Sequence, residues 1–242
     1  MIEIYNERFA DVEVLHAVPA GMEQSPLPTV IFYHGFTSSK LVYSYFAVAL
    51  AQQGFRVVMP DALDHGARYS GDAHARLQQF WPILKKSIDE FPALYQALIN
   101  SGGVAEGRLA VGGASMGGMT ALGIMARHPE VRCVASLMGS GYFTTLAQTL
   151  FPPSAEVREE VIVGLKDYEV SEKLEALSNR PLLLWHGEED DVVPAVETFR
   201  LQQALGANKR DQNLTCVWEA GVKHRITPEA LEATSQFFAR YL

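Results

Sequence analysis

Short apolar runs of strand character alternate with stretches of helical periodicity along most of the chain. The apolar runs include T-V-I-F-Y-H at 29–34, F-R-V-V-M-P-D at 55–61, L-A-V-G at 109–112 and P-L-L-L-W-H at 181–186. They lack the strict polar alternation of a half-exposed strand, so they are typical of strands that are buried on both faces. Strands of this kind joined by helices form a mostly parallel sheet with helices on both sides. The sequence therefore predicts an α/β fold.

The remaining predicted elements complete a sheet of about eight strands. Residues 3–18 contain two β-like stretches that we expect to form an antiparallel pair, and further strands are expected at 131–138 and 215–218. Helical patterns occur near 41–53, 75–101, 116–128, 195–205 and 228–241.

One segment breaks the alternation. Residues 139–179 contain helical patterns, such as A-E-V-R-E-E-V-I-V-G-L-K, but no run of strand character. A length of 242 residues suits one sizeable domain. We therefore expect a single domain over 1–242, in which 139–179 is a small helical cap or lid inserted over the strand ends.

Composition restricts the partners that the chain can have. It carries 28 acidic and 20 basic residues and a net charge of −8, which is unfavourable for binding nucleic acid or an anionic membrane surface. No apolar run approaches the roughly 18 residues of a membrane span.

Cys133 and Cys216 lie in apolar runs and are expected to be buried thiols. The first residues lack the pattern of a secretory signal, so we expect a cytoplasmic protein. The oligomeric state is not predicted.

The stretch G-G-A-S-M-G-G at 112–118 surrounds Ser115 with glycines and matches G-x-S-x-G. In a nucleophile elbow this motif follows a strand and opens a helix, because the turn between the two must be very tight. Both conditions are met here, by the strand predicted at 109–112 and the helix predicted at 116–128. The alternative is a glycine-rich turn that only packs a helix onto the sheet.

A serine hydroxyl needs a base to act as a nucleophile, and the base needs an acid that orients it. Among the histidines, His224 directly follows the last predicted strand and precedes the last helix. His16 lies within a strand pattern, and His74 and His128 lie beside helices. His224 is therefore the candidate base for Ser115.

The candidate acids follow another predicted strand, in L-L-L-W-H-G-E-E-D-D-V-V-P. Asp190 and Asp191 are both possible partners of the histidine, and Glu188 and Glu189 are less suitably placed. An acidic cluster in a loop is more often only solvated, and we expect this of most of these residues.

At this point the sequence resembles the α/β-hydrolase superfamily, in which the triad follows the chain order Ser, Asp, His. H-G-F at 34–36 is similar to the oxyanion-loop signature of that family. H-G-E-E-D-D-V-V-P resembles the H-G-x-x-D-x-x-V-P pattern of dienelactone-hydrolase-like and prolyl-oligopeptidase-like esterases, which implies that Asp190 is the triad acid. P-D-A-L-D-H-G-A-R resembles small bacterial carboxylesterases of the YjfP type. Dienelactone hydrolases themselves use cysteine where this chain has Ser115.

The resemblance implies a serine carboxylesterase that hydrolyses short-chain carboxylic esters through an acyl-enzyme on Ser115. His224 would be the base and Asp190 the acid, and the backbone N–H groups of Phe36 and Met116 would form the oxyanion hole. The expected partner is a small-molecule ester. No cofactor and no metal are expected, since the sequence has neither a phosphate-binding glycine loop with its lysine nor an H-E-x-x-H motif.

Five further residues are candidates for the pocket or the lid: His34, His65, Trp81, Tyr142 and Phe143. His34 and His186 each precede a glycine at a strand end and could shape the oxyanion loop and the acid loop, or could simply be hydrogen-bonded at the sheet end. His65, in D-H-G-A-R, could organise a loop beside the pocket or contact the substrate directly. The three aromatic residues could line an acyl pocket, although residues of this kind more often pack in the core.

Other functions use the same triad. An acyltransferase, a thioesterase and a deacetylase all form an acyl-enzyme, and only the pocket distinguishes them. A hydrolase-fold protein that binds a ligand without turnover is a further alternative, and labelling by an organophosphate would exclude it.

Overall fold

The structure is a computed structural model that describes residues 1–242. Its strands form one sheet with the spatial order β1-β2-β4-β3-β5-β6-β7-β8. The bounds of β1 to β8 are Ile2–Phe9, Val12–Pro19, Leu27–Tyr33, Arg56–Pro60, Val104–Ala114, Cys133–Leu137, Leu182–Gly187 and Leu214–Glu219. Strand β2 is antiparallel to both β1 and β4, and every other neighbouring pair is parallel. The predicted sheet of about eight mostly parallel strands is thus confirmed.

Helices cover both faces of this sheet. The bounds of α1 to α9 are Ser44–Gln52, Ala73–Leu77, Phe80–Asn100, Met116–Met125, Phe143–Leu146, Arg158–Leu165, Leu174–Ser178, Val196–Ala207 and Pro228–Tyr241. Apolar residues of α1 and α9 pack on one face, and those of α3, α4 and α8 pack on the other. No helix is both long and apolar enough to cross a bilayer.

The boundaries differ from the sequence prediction in three places. Strand β5 begins at Val104, before the apolar run, because this exposed extension pairs with the start of β3. The helix expected over 75–101 is two helices, and the Asp72 side chain caps the first of them. Helix α4 ends at Met125, whereas the sequence predicts that it continues to residue 128. The Arg180 guanidinium donates to the Met125 carbonyl at this end.

The segment 139–179 contains α5, α6 and α7 and no strand. It contacts the loop after β3 through Phe151, whose ring centroid is 4.9 Å from that of Phe36. It also receives the indole N–H of Trp81, which donates to the Leu150 carbonyl at 3.1 Å.

The order of the strands determines where a site can form. Strand β3 lies between β4 and β5 in the sheet. The chain runs from β3 to β4 on one side, and then crosses past β3 to β5 on the other side. In parallel α/β sheets, ligands bind beyond the carboxyl ends of the strands at such a reversal. Here the reversal brings together the loop that begins at His34 and the turn that contains Ser115.

Candidate active site

Ser115 lies in the tight turn between β5 and α4. Its backbone has φ 57° and ψ −119°, a conformation that costs energy for a residue other than glycine. The turn is close-packed, because a Cβ at Gly113 would lie 2.3 Å from the carbonyl oxygen of Gly117, and a Cβ at Gly117 would lie 2.0 Å from that of Tyr33. Only glycine fits at these two positions. The predicted elbow between a strand and a helix is therefore present.

The hydroxyl of Ser115 is linked to two residues that are distant in the sequence. Its Oγ is 2.9 Å from Nε2 of His224, and Nδ1 of His224 is 2.8 Å from Oδ2 of Asp190. The ionised carboxylate can only accept, so Nδ1 carries the hydrogen and Nε2 accepts from the serine hydroxyl. This is the geometry in which an imidazole can take a proton from the hydroxyl.

Asp190 is held by four donors. Its Oδ1 accepts from the backbone N–H groups of Val192 and Val193, both at 2.9 Å, and its Oδ2 faces His186 and His224. Burial of the carboxyl raises its pKa, but these hydrogen bonds outweigh burial and hold the pKa of Asp190 well below its usual value. The buried carboxylate is therefore ionised at neutral pH.

Asp191 is placed differently. Its side chain is exposed and forms an ion pair with Lys223 at 3.0 Å. Glu188 and Glu189 are also exposed. Of the four acidic residues in this loop, only Asp190 reaches His224.

Two backbone N–H groups close to the ends of β3 and β5 have no acceptor in the protein. Met116 is the first residue of α4, so its N–H is one of those that have no acceptor within the helix. The N–H of Phe36 makes no hydrogen bond within the protein. Between them, these groups provide two donors at the point where β3 and β5 end.

His34 and His65 hold the loop that contains Phe36. His34 donates from Nδ1 to the Gly35 carbonyl at 2.7 Å, and its Nε2 accepts from the Ala62 N–H at 3.0 Å. His65 donates from Nδ1 to the carbonyl of Leu63 at 2.8 Å, and its Nε2 accepts from the N–H of Thr37 at 2.9 Å. Both imidazoles must be neutral for these bonds to exist, because a protonated nitrogen cannot accept.

Burial of the two imidazoles favours their neutral forms, in agreement with these hydrogen bonds. It lowers the pKa of His34 to about 4 and also lowers the pKa of His65. The same loop is fixed at its far end by Lys40, whose N–H and ammonium group both bind the buried carboxylate of Asp61 at 2.8 Å. These contacts give the loop one defined position.

Ser115 opens onto a cleft of about 250 Å³. Its lining comes from the loop after β3, the start of α1, the elbow, the end of β6 and the loop after β8. The lining residues are Gly35, Phe36, Ser38, Val42, Tyr43, Tyr45, Ser115, Met138, His224, Arg225 and Ile226. His34 and His65 are not in this lining and lie behind the loop.

The three aromatic pocket candidates do not line the cleft either. Trp81 and Phe143 are completely buried in the core, with their ring centroids 6.2 Å apart. Tyr142 lies beneath the guanidinium of Arg200, which is 4.1 Å from the ring centroid. The expectation that these residues line an acyl pocket is not met in this cleft, because their rings are used to attach the segment 139–179 to the domain.

Sequence reasoning missed the polar residues of the cleft. No sequence motif includes Tyr43, Tyr45 or Arg225. One available signal was position, since Arg225 directly follows His224 and both tyrosines follow the H-G-F loop within ten residues. The fully buried His186 was considered for the acid loop, and it does contact Asp190, at 3.1 Å.

No group of three or more His, Cys, Asp or Glu side chains is arranged to hold a metal ion. The two cysteines are not joined; Cys133 is buried, as expected, whereas Cys216 is only partly buried, so the expectation of a buried thiol is wrong there.

The geometry can be compared with known proteins. Residues 42–242 match the sequence profile of the prolyl oligopeptidase family. Over the full length of both chains the sequence is 61% identical to the esterase YjfP of Escherichia coli K12.

Among solved structures, TT1662 of Thermus thermophilus superposes with a TM-score of 0.83 at 22% identity, covering 99% of this chain and 98% of that one. The acylaminoacyl peptidase of Pyrococcus horikoshii superposes with a TM-score of 0.75 at 14% identity, covering all of this chain and 42% of the peptidase. The family resemblance drawn from the sequence motifs is confirmed. The chain belongs to the prolyl oligopeptidase family and has the α/β-hydrolase fold.

Proposed function

We propose that the protein is a serine carboxylesterase that hydrolyses small carboxylic esters through an acyl-enzyme on Ser115. The observation that carries this proposal is the chain of two hydrogen bonds, 2.9 Å and 2.8 Å long, from Ser115 through His224 to the ionised Asp190. The relative with 61% identity is an esterase, which supports the same reaction class.

In the first half of the reaction, the Ser115 hydroxyl attacks the ester carbonyl carbon while Nε2 of His224 takes its proton. Asp190 holds the imidazole in the tautomer with hydrogen on Nδ1 and stabilises the imidazolium that forms. His224 then gives the proton to the departing alcohol, and the acyl group remains on the serine oxygen.

The negative oxygen of the tetrahedral intermediate needs donors that are already in place. We assign this role to the backbone N–H groups of Phe36, in the loop after β3, and of Met116, the first residue of α4. Loss of one such donor typically lowers kcat by roughly 10²–10³-fold. Water activated by His224 then attacks the acyl-enzyme and releases the acid.

We assign His34 and His65 to the positioning of this hole. His34 binds the backbone before Phe36, at the Gly35 carbonyl, and His65 binds the backbone after it, at the Thr37 N–H. We also propose that 1–242 form a single hydrolase domain in which 139–179 act as a cap. The contact between Phe151 and Phe36 supports that role, because it joins the segment to the loop.

The test is turnover of p-nitrophenyl acetate together with labelling by an organophosphate. The wild-type protein should hydrolyse the ester and incorporate one label, which peptide mass spectrometry should locate at Ser115. Ser115→Ala should abolish both turnover and labelling. The control Ser178→Ala, on the surface of α7, should keep both. Full turnover by Ser115→Ala, or a label on another serine, would show that the assignment is wrong.

A series of p-nitrophenyl esters of increasing acyl length then defines the substrate. The cleft at Ser115 has a volume of about 250 Å³, below the roughly 300–1,000 Å³ of most ligand pockets, which favours a small acyl or alcohol group. We expect kcat/KM to be highest for short acyl chains and to fall as the chain lengthens. A maximum at long chains would contradict the proposed short-chain preference.

A further inference from the structure

Arg225 is the only residue with a permanent charge in the lining of the cleft. The lining contains no aspartate, glutamate or lysine, and its only other ionisable groups besides Ser115 are His224 and two tyrosines. This is unusual for a chain with 28 acidic and 20 basic residues. The cleft therefore has a positive charge in a protein that is negative as a whole.

The positive charge is not neutralised by the protein. Lys223, two residues earlier, is paired with Asp191 at 3.0 Å, whereas Arg225 forms no ion pair. The carboxylate of Asp190, the acid that contacts His224, is completely buried and already faces four donors. The Arg225 guanidinium is exposed and free to bind an anion that enters the cleft.

Neutral hydroxyl donors lie in the same lining. Burial raises the pKa of Tyr43 and that of Tyr45, so both phenols stay protonated and can donate. A Cβ at Gly35 would lie 3.0 Å from the Tyr43 hydroxyl oxygen and 3.5 Å from Cβ of Ser115. The Tyr43 hydroxyl, a hydrogen-bond donor, and the reacting Ser115 therefore both lie next to Gly35.

We infer that the natural substrate is a small ester that also bears a carboxylate, which binds Arg225 while the ester carbonyl lies at Ser115. This inference rests on the proposed esterase function and adds the charge of the substrate to it. The planar guanidinium matches a carboxylate with two parallel hydrogen bonds, and such charge-assisted bonds are stronger than neutral ones. The absence of acidic side chains from the lining means that nothing in the cleft repels the anion.

The experiment uses two matched pairs of esters, and in each pair one group is a carboxylate in one member and an uncharged group in the other. In the first pair the charge is on the alcohol side: 4-acetoxybenzoate is compared with 4-acetoxybenzamide. In the second pair it is on the acyl side: mono-p-nitrophenyl adipate is compared with p-nitrophenyl hexanoate. The wild-type protein should favour the anionic ester in at least one pair by about tenfold in kcat/KM, the size expected for one charge-assisted contact.

The ratio of the two kcat/KM values is the quantity to compare between variants. Arg225→Gln should bring the ratio close to one, and Arg225→Lys should retain part of it, since the charge stays but the paired donors are lost. Lys223→Gln removes the same charge two residues away, outside the cleft lining, and should keep the wild-type ratio.

Two results would overturn the inference: equal kcat/KM within both pairs for the wild-type protein, or an anionic preference that Arg225→Gln leaves unchanged. Failure of the proposed function gives a different result, because then no ester of either pair is hydrolysed faster by the wild-type protein than by Ser115→Ala.

Discussion

His186 and Asp190 lie four residues apart, and Nε2 of the buried His186 is 3.1 Å from the same carboxylate oxygen that His224 contacts. This nitrogen is also 2.8 Å from the carbonyl of Val193, which can only accept, so it carries a hydrogen. The carboxylate of Asp190 therefore receives a second imidazole N–H from within the sheet. This arrangement fixes the orientation of the acid before any substrate binds.

The first prediction concerns the two neighbouring aspartates. Asp190→Asn places an amide where His186 and His224 need an acceptor, so the imidazole of His224 loses its preferred tautomer. We expect kcat to fall on the order of 10³–10⁴-fold. Asp191→Asn removes only an exposed ion pair, and kcat should stay near the wild-type value. Steady-state kinetics with p-nitrophenyl acetate compare the two, and a larger loss in Asp191→Asn would show that the acid is misassigned.

The second prediction concerns the loop that contains Phe36. His65→Leu removes the ring nitrogen that accepts from the N–H of Thr37 and offers no other acceptor, so the adjacent oxyanion donor is no longer held in place. We expect kcat to fall roughly tenfold, less than the loss of a whole donor, with little change in KM. His74→Leu is the matched control, because His74 is exposed on α2 and makes no contact with the site.

A purely structural role for His65 would give a different pattern. It would lower the melting temperature and the fraction of active protein, and the remaining folded enzyme, titrated with the organophosphate, would have the wild-type kcat. A normal kcat per titrated site would therefore exclude the positioning role.

The sequence allowed the α/β fold and the chain order of the elements to be predicted, because buried strands and amphipathic helices have local signatures. It also identified Ser115 and His224 as residues that each follow a strand, and the structure brings them to within 2.9 Å. The choice between Asp190 and Asp191 could not be made from the pattern of charges alone. It depends on which carboxylate the turn directs inward, which is set by the N–H groups of Val192 and Val193.

The lining of the cleft could not be predicted for a similar reason. Tyr43 and Arg225 are 182 positions apart in the sequence, and only the packing of two loops at the sheet edge makes them neighbours. The aromatic residues of 139–179 have a helical spacing that fits either a core or a pocket. The structure places Phe143 in the core, where its ring is completely buried.

The third prediction concerns stability in acid. His34 is neutral in the folded protein, with a pKa of about 4, while in the unfolded chain it titrates near 6.5. Between these two values the unfolded chain binds a proton that the folded protein does not, so the free energy of unfolding decreases as the pH falls from 6.5 to 4. The contribution of His34 is on the order of 3 kcal/mol, and burial of His65 acts in the same direction.

Urea unfolding at intervals between pH 4 and pH 7 measures this dependence. His65→Gln should reduce the slope of the free energy of unfolding against pH, since it removes one histidine whose pKa is lowered by burial in the folded protein. The exposed His74→Gln should leave the slope unchanged. A wild-type free energy that is constant over this range, after allowance for the carboxyl groups, contradicts the assignment of neutral buried histidines.

The last prediction concerns the glycine two residues after the serine. A methyl group at Gly117 would lie 2.0 Å from the carbonyl oxygen of Tyr33 and 2.8 Å from that of His34. Backbone atoms cannot move aside as the end of a side chain can, and a shift of His34 would also disturb the loop that carries Phe36. We therefore expect Gly117→Ala to lower the free energy of unfolding by roughly 3 kcal/mol or more.

Gly206→Ala is the control for this substitution. Gly206 lies within α8, and an added Cβ would meet nothing closer than 3.7 Å, so alanine fits and favours the helix. This variant should unfold at the same temperature as the wild-type protein or slightly above it. If Gly117→Ala does not fold, its loss from the soluble fraction beside normal yields of Gly206→Ala gives the same answer. A Gly117→Ala protein with the wild-type melting temperature and kcat would mean that α4 and β3 are not packed as closely as this elbow requires.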